Sequence, residues 1–424
     1  MMNDTEFRIR VESDITSIPR DIWDSCAGSG LDRESGNSVS HLNINGNSCV
    51  SGLRDDSAES ESGLSYNPFT SHDFLSALEE SGSATMATGW MPQHLVLEDA
   101  EAGVLGVCPA YLKSHSRGEY VFDQGWAEAY ERAGGRYYPK LQVAVPFTPA
   151  TGPRLLVRPG YDASAVRGAL AQGLVSLARM RKASSVHATF LATEDAEALE
   201  AEDFLPRTDQ QFHWRNEGYG SYEEFLGALA SRKRKALRRE RREAMESGIE
   251  IRWLSGSDLT EEVWDAFFDF YMETGSRKWG RPYLTRRFYS LVGERMADRI
   301  LLVMARRAGR WIAGAINFIG PDTLYGRHWG AVEHHPFLHF EVCYHQAIDF
   351  AIARGLKTVE AGAQGEHKLA RGYLPVTTRS AHWIADPGLR RAVASYLERE
   401  RAYVADANTE LSALGPFRHV SDEP

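Results

Sequence analysis

Two stretches of this chain repeat one another, and that repeat limits the fold more than any other feature. Ser185 to Trp214 opens on SVHATFLA and ends in FLPRTDQQFHW; Thr358 to Trp383 opens on TVEAGAQG and ends in YLPVTTRSAHW. Aligned without gaps, Leu205/Leu374, Pro206/Pro375, Thr208/Thr377, His213/His382 and Trp214/Trp383 coincide, and Phe204 faces Tyr373. Five identities in eleven positions, one of them a Trp, read as an internal duplication. Two copies make no solenoid; they imply two related domains in tandem. With the opening strands SVHA and TVEA aligned on their own, Glu360 falls opposite His187, so the copies differ where chemistry can reside.

A chain of 424 residues is long enough for such a pair, each member with its own core. The division expected is residues 1–219 and 220–424. The net charge of −10 draws no polyanion to the protein as a whole, so any such binding needs a local patch. Four scattered cysteines without CxxC spacing fit a reducing compartment and no cysteine-rich metal site. The polar, acidic N-terminus is no secretory signal, and no apolar run approaches the roughly 20 residues of a membrane span. A cytoplasmic protein is therefore expected, and the internal duplication removes one common need for a homodimer, so a monomer is expected too. Residues 25–66, rich in Ser, Gly and Asn, read as a disordered insertion.

The remaining pattern is mixed α/β. Each half shows helices, an antiparallel strand pair, a helix, and then the repeated strands. The strand pairs are HLVLED with GVLGVCPAYL, and RILLVMAR with WIAGAINFIG. Helices are predicted over Ile15 to Cys26, entered through Asp14, and from Ser71 through Leu78 to the Gly82 turn. Others are predicted over Asp162 to Lys182, Thr260 to Gly275, Arg286 to Ala297, His339 to Arg354 and beyond Pro387. Gly220 to Gly248 reads as one helix opened by the capping box Ser221-x-x-Glu224. Within it, SRKRKALRRERR has eight Lys or Arg in twelve residues.

NPFTSHDFLSALEESGS, YVFDQGWAEAYERAG, YYPKLQVAVPFTPATGPRLL, SRKRKALRRERREA and GEHKLARGYLPVTTRSAHWI resemble the peptidoglycan biosynthesis/recognition family. That family is a Fem-like branch of the GNAT acyltransferase superfamily. The resemblance implies two tandem GNAT-like domains in a Fem-type arrangement and transfer of an acyl or aminoacyl group to an amine. The donor expected is acyl-CoA or aminoacyl-tRNA, and the acceptor a muropeptide-like or other small-molecule amine.

Amine acylation needs a base, a partner for the oxyanion and a grip on the acyl carrier. The R/Q-x-x-G-x-G/A turn with which GNAT enzymes hold CoA is intact in neither half. Thr148-Pro149-Ala150-Thr151-Gly152-Pro153-Arg154 is the nearest substitute, weakened by prolines that lack amide donors. The basic run offers Lys233, Arg234, Arg238, Arg241 and Arg242 to phosphates, tRNA included. The same run also fits a solvated face in which Glu240 and Glu243 pair with their own helix. Candidates for catalysis are Glu360, His328, Tyr344 and Glu341. Candidates for substrate binding are Arg327, Trp329, Gln364, Glu366, His367, Lys368 and Arg371, with Lys278, Arg281 and Tyr283, and Tyr138 and Lys140 in the first half. The histidines around His328 to His345 lack metal-ligand spacing, and no metal is expected. An acyl-CoA-dependent N-acetyltransferase and a non-catalytic binder of cell-wall precursors are the alternatives.

Overall fold

Both repeated stretches end in long strands, and these lie side by side at the centre of the molecule. The computed structural model describes residues 7–28, 66–279, 282–362 and 365–418. The insertion read over 25–66 falls almost wholly outside them. The strands in chain order are β1 (Arg8–Glu12), β2 (Trp90–Pro92), β3 (His94–Asp99), β4 (Gly103–Cys108), β5 (Ala110–Lys113), β6 (Lys140–Val143), β7 (Leu156–Val157) and β8 (Ser185–Thr189). They continue with β9 (Leu205–Arg215), β10 (Ile249–Leu254), β11 (Ile300–Arg307), β12 (Arg310–Ile319), β13 (Thr323–Ala331), β14 (Thr358–Glu360) and β15 (Leu374–Ile384).

β9 and β15 pair antiparallel, from Leu374 opposite His213 to His382 opposite Leu205. Leu205 and Leu374 are matched residues of the repeat, as are His213 and His382, so the pairing has the twofold symmetry of duplicate segments. Their outer neighbours are exchanged. β9 pairs with β14 of the later copy, and β15 pairs with β8 of the earlier one. The exchange sets Glu360 opposite His213 and, equivalently, His187 opposite His382. The result is one eleven-stranded sheet, ordered β10-β11-β12-β13-β14-β9-β15-β8-β6-β5-β2, beside a four-stranded sheet β1-β3-β4-β7. Among these strands only β13–β14 and β6–β8 run parallel.

Local chemistry explains the punctuation. Ala308 and Gly309 both take positive φ, 49° and 77°, which closes the β11–β12 hairpin. Pro109 has no amide to donate, and the strand predicted through GVLGVCPAYL breaks there: β4 enters the small sheet and β5 the large one. Pro19 likewise divides the first predicted helix into a short turn at Ile15–Ser17, capped by Asp14, and a helix Arg20–Ala27. The single helix expected over 220–248 is two, Tyr222–Ala228 and Ser231–Met245, because Leu229 turns extended between them. The Ser221 side chain accepts from the Glu224 amide, and Glu224 reaches back to the Gly220 amide at 2.9 Å.

β11 alternates between two cores. Ile300, Leu302 and Met304 face one; Leu301, Val303 and Ala305 face the other. The first core unites distant parts of the chain, with Phe69 5.2 Å from Phe318 and Phe74 5.6 Å from Phe288, ring centre to ring centre. Helices His72–Glu80, Glu261–Trp279 and Arg286–Met296 close this side. Helix Ser231–Met245 and the crossover helix, residues 338–353, close the other. Helix Pro387–Ala413 lies along β9 and β15.

Candidate functional site

The parallel pair β13–β14 is bonded over three residues, ending at Tyr325 opposite Glu360. Beyond that point β13 runs on to Ala331 while β14 stops, so the strands part at their carboxyl ends and leave a crevice. Glu360 sits at the mouth of it. Opposite, β13 gains one residue against β12, since Ala315 pairs with Trp329 and Asn317 with Gly326. The extra residue falls at Arg327-His328, and this bulge turns both side chains into one small cavity, shared with Phe147 and Thr148.

Glu360 is 7% exposed, and burial raises its carboxyl to about 7 despite the pull of Arg327 and Arg154. Its Oε1 is 3.8 Å from His213 Nε2, across the strand pair. Its Oε2 has no hydrogen-bond partner among the described residues, and neither have Arg327 Nε and Nη2 or Arg154 Nε. Each such orphan costs about 1–3 kcal/mol when buried. Three charged residues with unspent bonding capacity around one crevice are the mark of a site that receives a polar group.

Lys368, 1% exposed, gives its ammonium to Gly362 O at 2.8 Å, and burial, with Arg327 adding to it, lowers its pKa to about 7. Burial also holds His213 and His328 down to about 3, so both rings are neutral at pH 7. Gln211 fixes His213, accepting at 3.2 Å, and is itself held by Pro149 O at 2.8 Å. Arg154 donates to Ala150 O at 2.6 Å and Pro153 O at 3.1 Å. A cleft of about 480 Å³ lined by Arg215, Tyr219, Leu374, Pro375 and Phe417 opens on His213 from outside. That volume lies within the range of small-molecule sites.

Of the residues singled out in the sequence, Arg327 lies within electrostatic reach of both Glu360 and Lys368, and His328 shares its cavity. Tyr283 stacks on Phe147, 4.8 Å away, at the edge of the same region. Tyr344 and Glu341 sit in the second core: Tyr344 bonds His367 Nε2 at 2.9 Å, and Glu341 takes two bonds from Arg241. Those two lie in a π-turn, Glu341–His345, that widens the crossover helix. Trp329 packs on His339, 5.1 Å away. Arg371 is buried against Glu240. Arg281 and Gln364 lie outside the described residues, as do the side chains of Lys278 and Glu366. Arg154 is expected from the sequence only as the end of the candidate carrier loop 148–154, and His213 only as an identity of the repeat; nothing in the sequence points to Gln211.

In the first half, Lys140 is wholly buried and donates to Glu119 at 2.6 Å, Ser116 at 2.8 Å and Asp123. Burial opposes its charge, but the two carboxylates prevail and its pKa is raised. Tyr138 bonds Ser116 at 2.8 Å. His187 and His382 meet Nδ1 to Nδ1 at 2.7 Å, where the other copy has Glu360 and His213. At this equivalent position His187 and His382 occupy each other's bonding sites, although His382 Nε2 and Asp123 Oδ1 are without a hydrogen-bond partner among the described residues.

The carrier candidates divide. Lys233, Arg238 and Arg242 are exposed, Arg234 reaches back to Leu229 O, and Arg241 is drawn inward to Glu341 and Asp349. In the loop 148–154 the amides are spent inside: Gly152 donates to Phe190 O at 3.0 Å, and the Arg154 amide to Asp195. Helix Ala163–Met180, which follows, has its first amides taken by Asp162 at 3.0 and 3.1 Å. The loop therefore presents no open cradle for a pyrophosphate.

In the large mixed sheet the two halves exchange their last strands, and each half contributes one parallel strand pair, β6–β8 and β13–β14. The chain belongs to the FemAB_like family, described as peptidoglycan biosynthesis/recognition, whose model matches residues 14–419. The crystal structure of FemX is similar, with 11% identity and a TM-score of 0.50 over 78% of this chain and 95% of that one. L-PGS from Bacillus licheniformis gives 10% and 0.46 over 78% and 97%. A tandem GNAT protein from the clavulanic acid biosynthesis pathway gives 12% and 0.42 over 90% and 98%. No curated protein matches the chain in sequence.

Proposed function

We propose that this protein transfers an aminoacyl group from an anionic carrier, aminoacyl-tRNA, to an amine of a cell-wall precursor in the cytoplasm, with Glu360 as the base. The observation that carries the reading is the set of unpartnered buried groups, Glu360 Oε2 with Arg327 Nε and Nη2, at the mouth of the β13–β14 crevice. The amine nitrogen attacks the ester carbonyl carbon, and its proton passes to Glu360, whose carboxyl near 7 is poised for exchange at neutral pH. The carbonyl oxygen gathers the negative charge, which the unspent Arg327 donors can hold. When the ester C–O bond breaks, the leaving oxygen takes a proton from Lys368, an ammonium that releases one near pH 7. One amide forms, one ester is lost, and the proton from the amine replaces the proton from Lys368 on return.

Two features favour a tRNA-borne donor over acyl-CoA. The exposed face of helix Ser231–Met245 is basic, and the helix start at Asp162, where a pyrophosphate would rest, is already capped by a carboxylate. The test is transfer from tRNA charged with labelled amino acids, beside labelled acetyl-CoA, to a panel of amine acceptors that includes muropeptide precursors. Aminoacyl transfer by the native protein, abolished in Glu360→Gln with the fold intact, is the expected result. Full activity in Glu360→Gln removes Glu360 as base, and transfer from acetyl-CoA alone replaces the donor.

A further inference from the structure

The basic helix Ser231–Met245 has two faces with different partners. Arg238, Arg239 and Arg242 pair with the surface acids Glu223, Glu243 and Glu246. Leu237, Glu240 and Ala244, at helical spacing, are buried. Glu240 is thus a carboxylate taken inside the protein from the middle of its most basic stretch. It does not pair along its own helix, as Glu243 does. Its Oε1 accepts from Arg371 Nε and His345 Nε2, both at 2.8 Å, and its Oε2 from Arg371 Nη2 at 2.6 Å. Since a carboxylate only accepts, His345 carries its proton on Nε2 and takes the Tyr222 hydroxyl on Nδ1 at 2.7 Å. Burial works against the charge of Glu240, but the bonds from His345 and Arg371 outweigh it and hold the carboxyl below its usual range.

Arg371 passes this hold onward. Its guanidinium lies 3.4 Å from the centre of the Phe340 ring, and Nη1 donates to His367 O at 2.6 Å. That bond spans the turn Glu366–Arg371, whose one fully buried amine, Lys368, reaches Gly362 O beside the end of β14. A two-pronged guanidinium–carboxylate pair fixes distance and plane together, which a point contact does not.

We propose that Glu240 is a positioning residue of the transfer site: through Arg371 it fixes the turn that seats Lys368, and so makes the carrier helix and the site one rigid unit. The inference rests on the placement of Lys368 in the transfer reaction, but its test needs no turnover. A buried ion pair serving stability alone would leave Lys368 where it is when broken in a protein that still folds.

The experiment uses the full chain with lysines ¹³C-methylated, the Lys368 signal being the one that vanishes in Lys368→Arg. In the native protein this signal should titrate near 7, because burial and Arg327 disfavour the ammonium. In Glu240→Gln the turn loosens, water reaches the amine, and the midpoint rises by one pH unit or more, a tenfold change in proton affinity. Arg371→Lys keeps the charge but loses the fork, and serves as the second variant if Glu240→Gln fails to fold. It should shift the midpoint the same way. Arg238→Ala with Arg242→Ala, which strips only the outer face, should leave it unchanged. A Lys368 midpoint that stays at the native value in a folded Glu240→Gln or Arg371→Lys protein overturns the proposal. Transfer activity plays no part in the readout, so loss of the transfer reading and loss of this one are separate results.

Discussion

Glu360 has a thermodynamic signature that can be measured without any substrate. Its carboxyl is raised from an ordinary 4.5 to about 7, so the folded state keeps a proton that the unfolded state releases. The contribution of this group to stability is therefore fully present below pH 4.5 and falls away as pH rises through 7. The difference amounts to on the order of 3 kcal/mol. Glu360→Gln, which cannot ionise, should match the native protein at pH 4 and exceed it in thermal stability at pH 8. Equal pH dependence of the two melting curves would show that the carboxylate is solvated. The same residue was legible in the sequence from its place beside a Gly-punctuated loop. Arg154 and His213 were not, because each reaches the crevice only through a strand or loop from the other half of the chain.

At the scale of elements, two packing details decide what the site can do. The bulge at Arg327-His328 brings both side chains to one face, and β13 can approach helix Glu261–Trp279 closely only because residue 330 is glycine. A Cβ there would stand 2.1 Å from the Phe270 carbonyl oxygen, a backbone atom with nowhere to yield. Gly330→Ala should destabilise the protein by about 2 kcal/mol, as overpacking does, measured by chemical denaturation; an unchanged midpoint would mean that helix and strand can separate freely. The basic helix carries a second expectation. Its outward charges, Arg232, Lys233, Arg238 and Arg242, and not the inward Arg241, should set the salt dependence of tRNA binding. Changing those four to Ala should lessen the slope of log K against log salt by up to about 3. A slope equal to the native one would make the run an ordinary solvated face. Helical periodicity located this helix in the sequence, but it could not say which of its charges turn inward, since Glu240 and Arg241 find their partners about 100 residues or more away.

For the whole molecule, the strand exchange makes the halves interdependent. β9 lies between two strands of the later half, and β15 between two of the earlier. Residues 1–219 expressed alone would leave β8 and β9 without their exchanged neighbours and Phe69 and Phe74 without their core. Neither 1–219 nor 220–424 should unfold cooperatively by itself, whereas the two expressed together should assemble; a stable isolated half would show that the exchange is dispensable. No helix among the described residues is long and apolar enough to cross a membrane. Composition, helical and strand periods and the repeated FLPRTDQQFHW and YLPVTTRSAHW segments determined the elements, the duplication and the mixed α/β class, because these depend on neighbours near in the chain. Tertiary structure decided the rest: which copy each strand pairs with and which acid holds Arg371. Those outcomes depend on groups that the chain separates by a hundred residues and only packing brings within bonding distance.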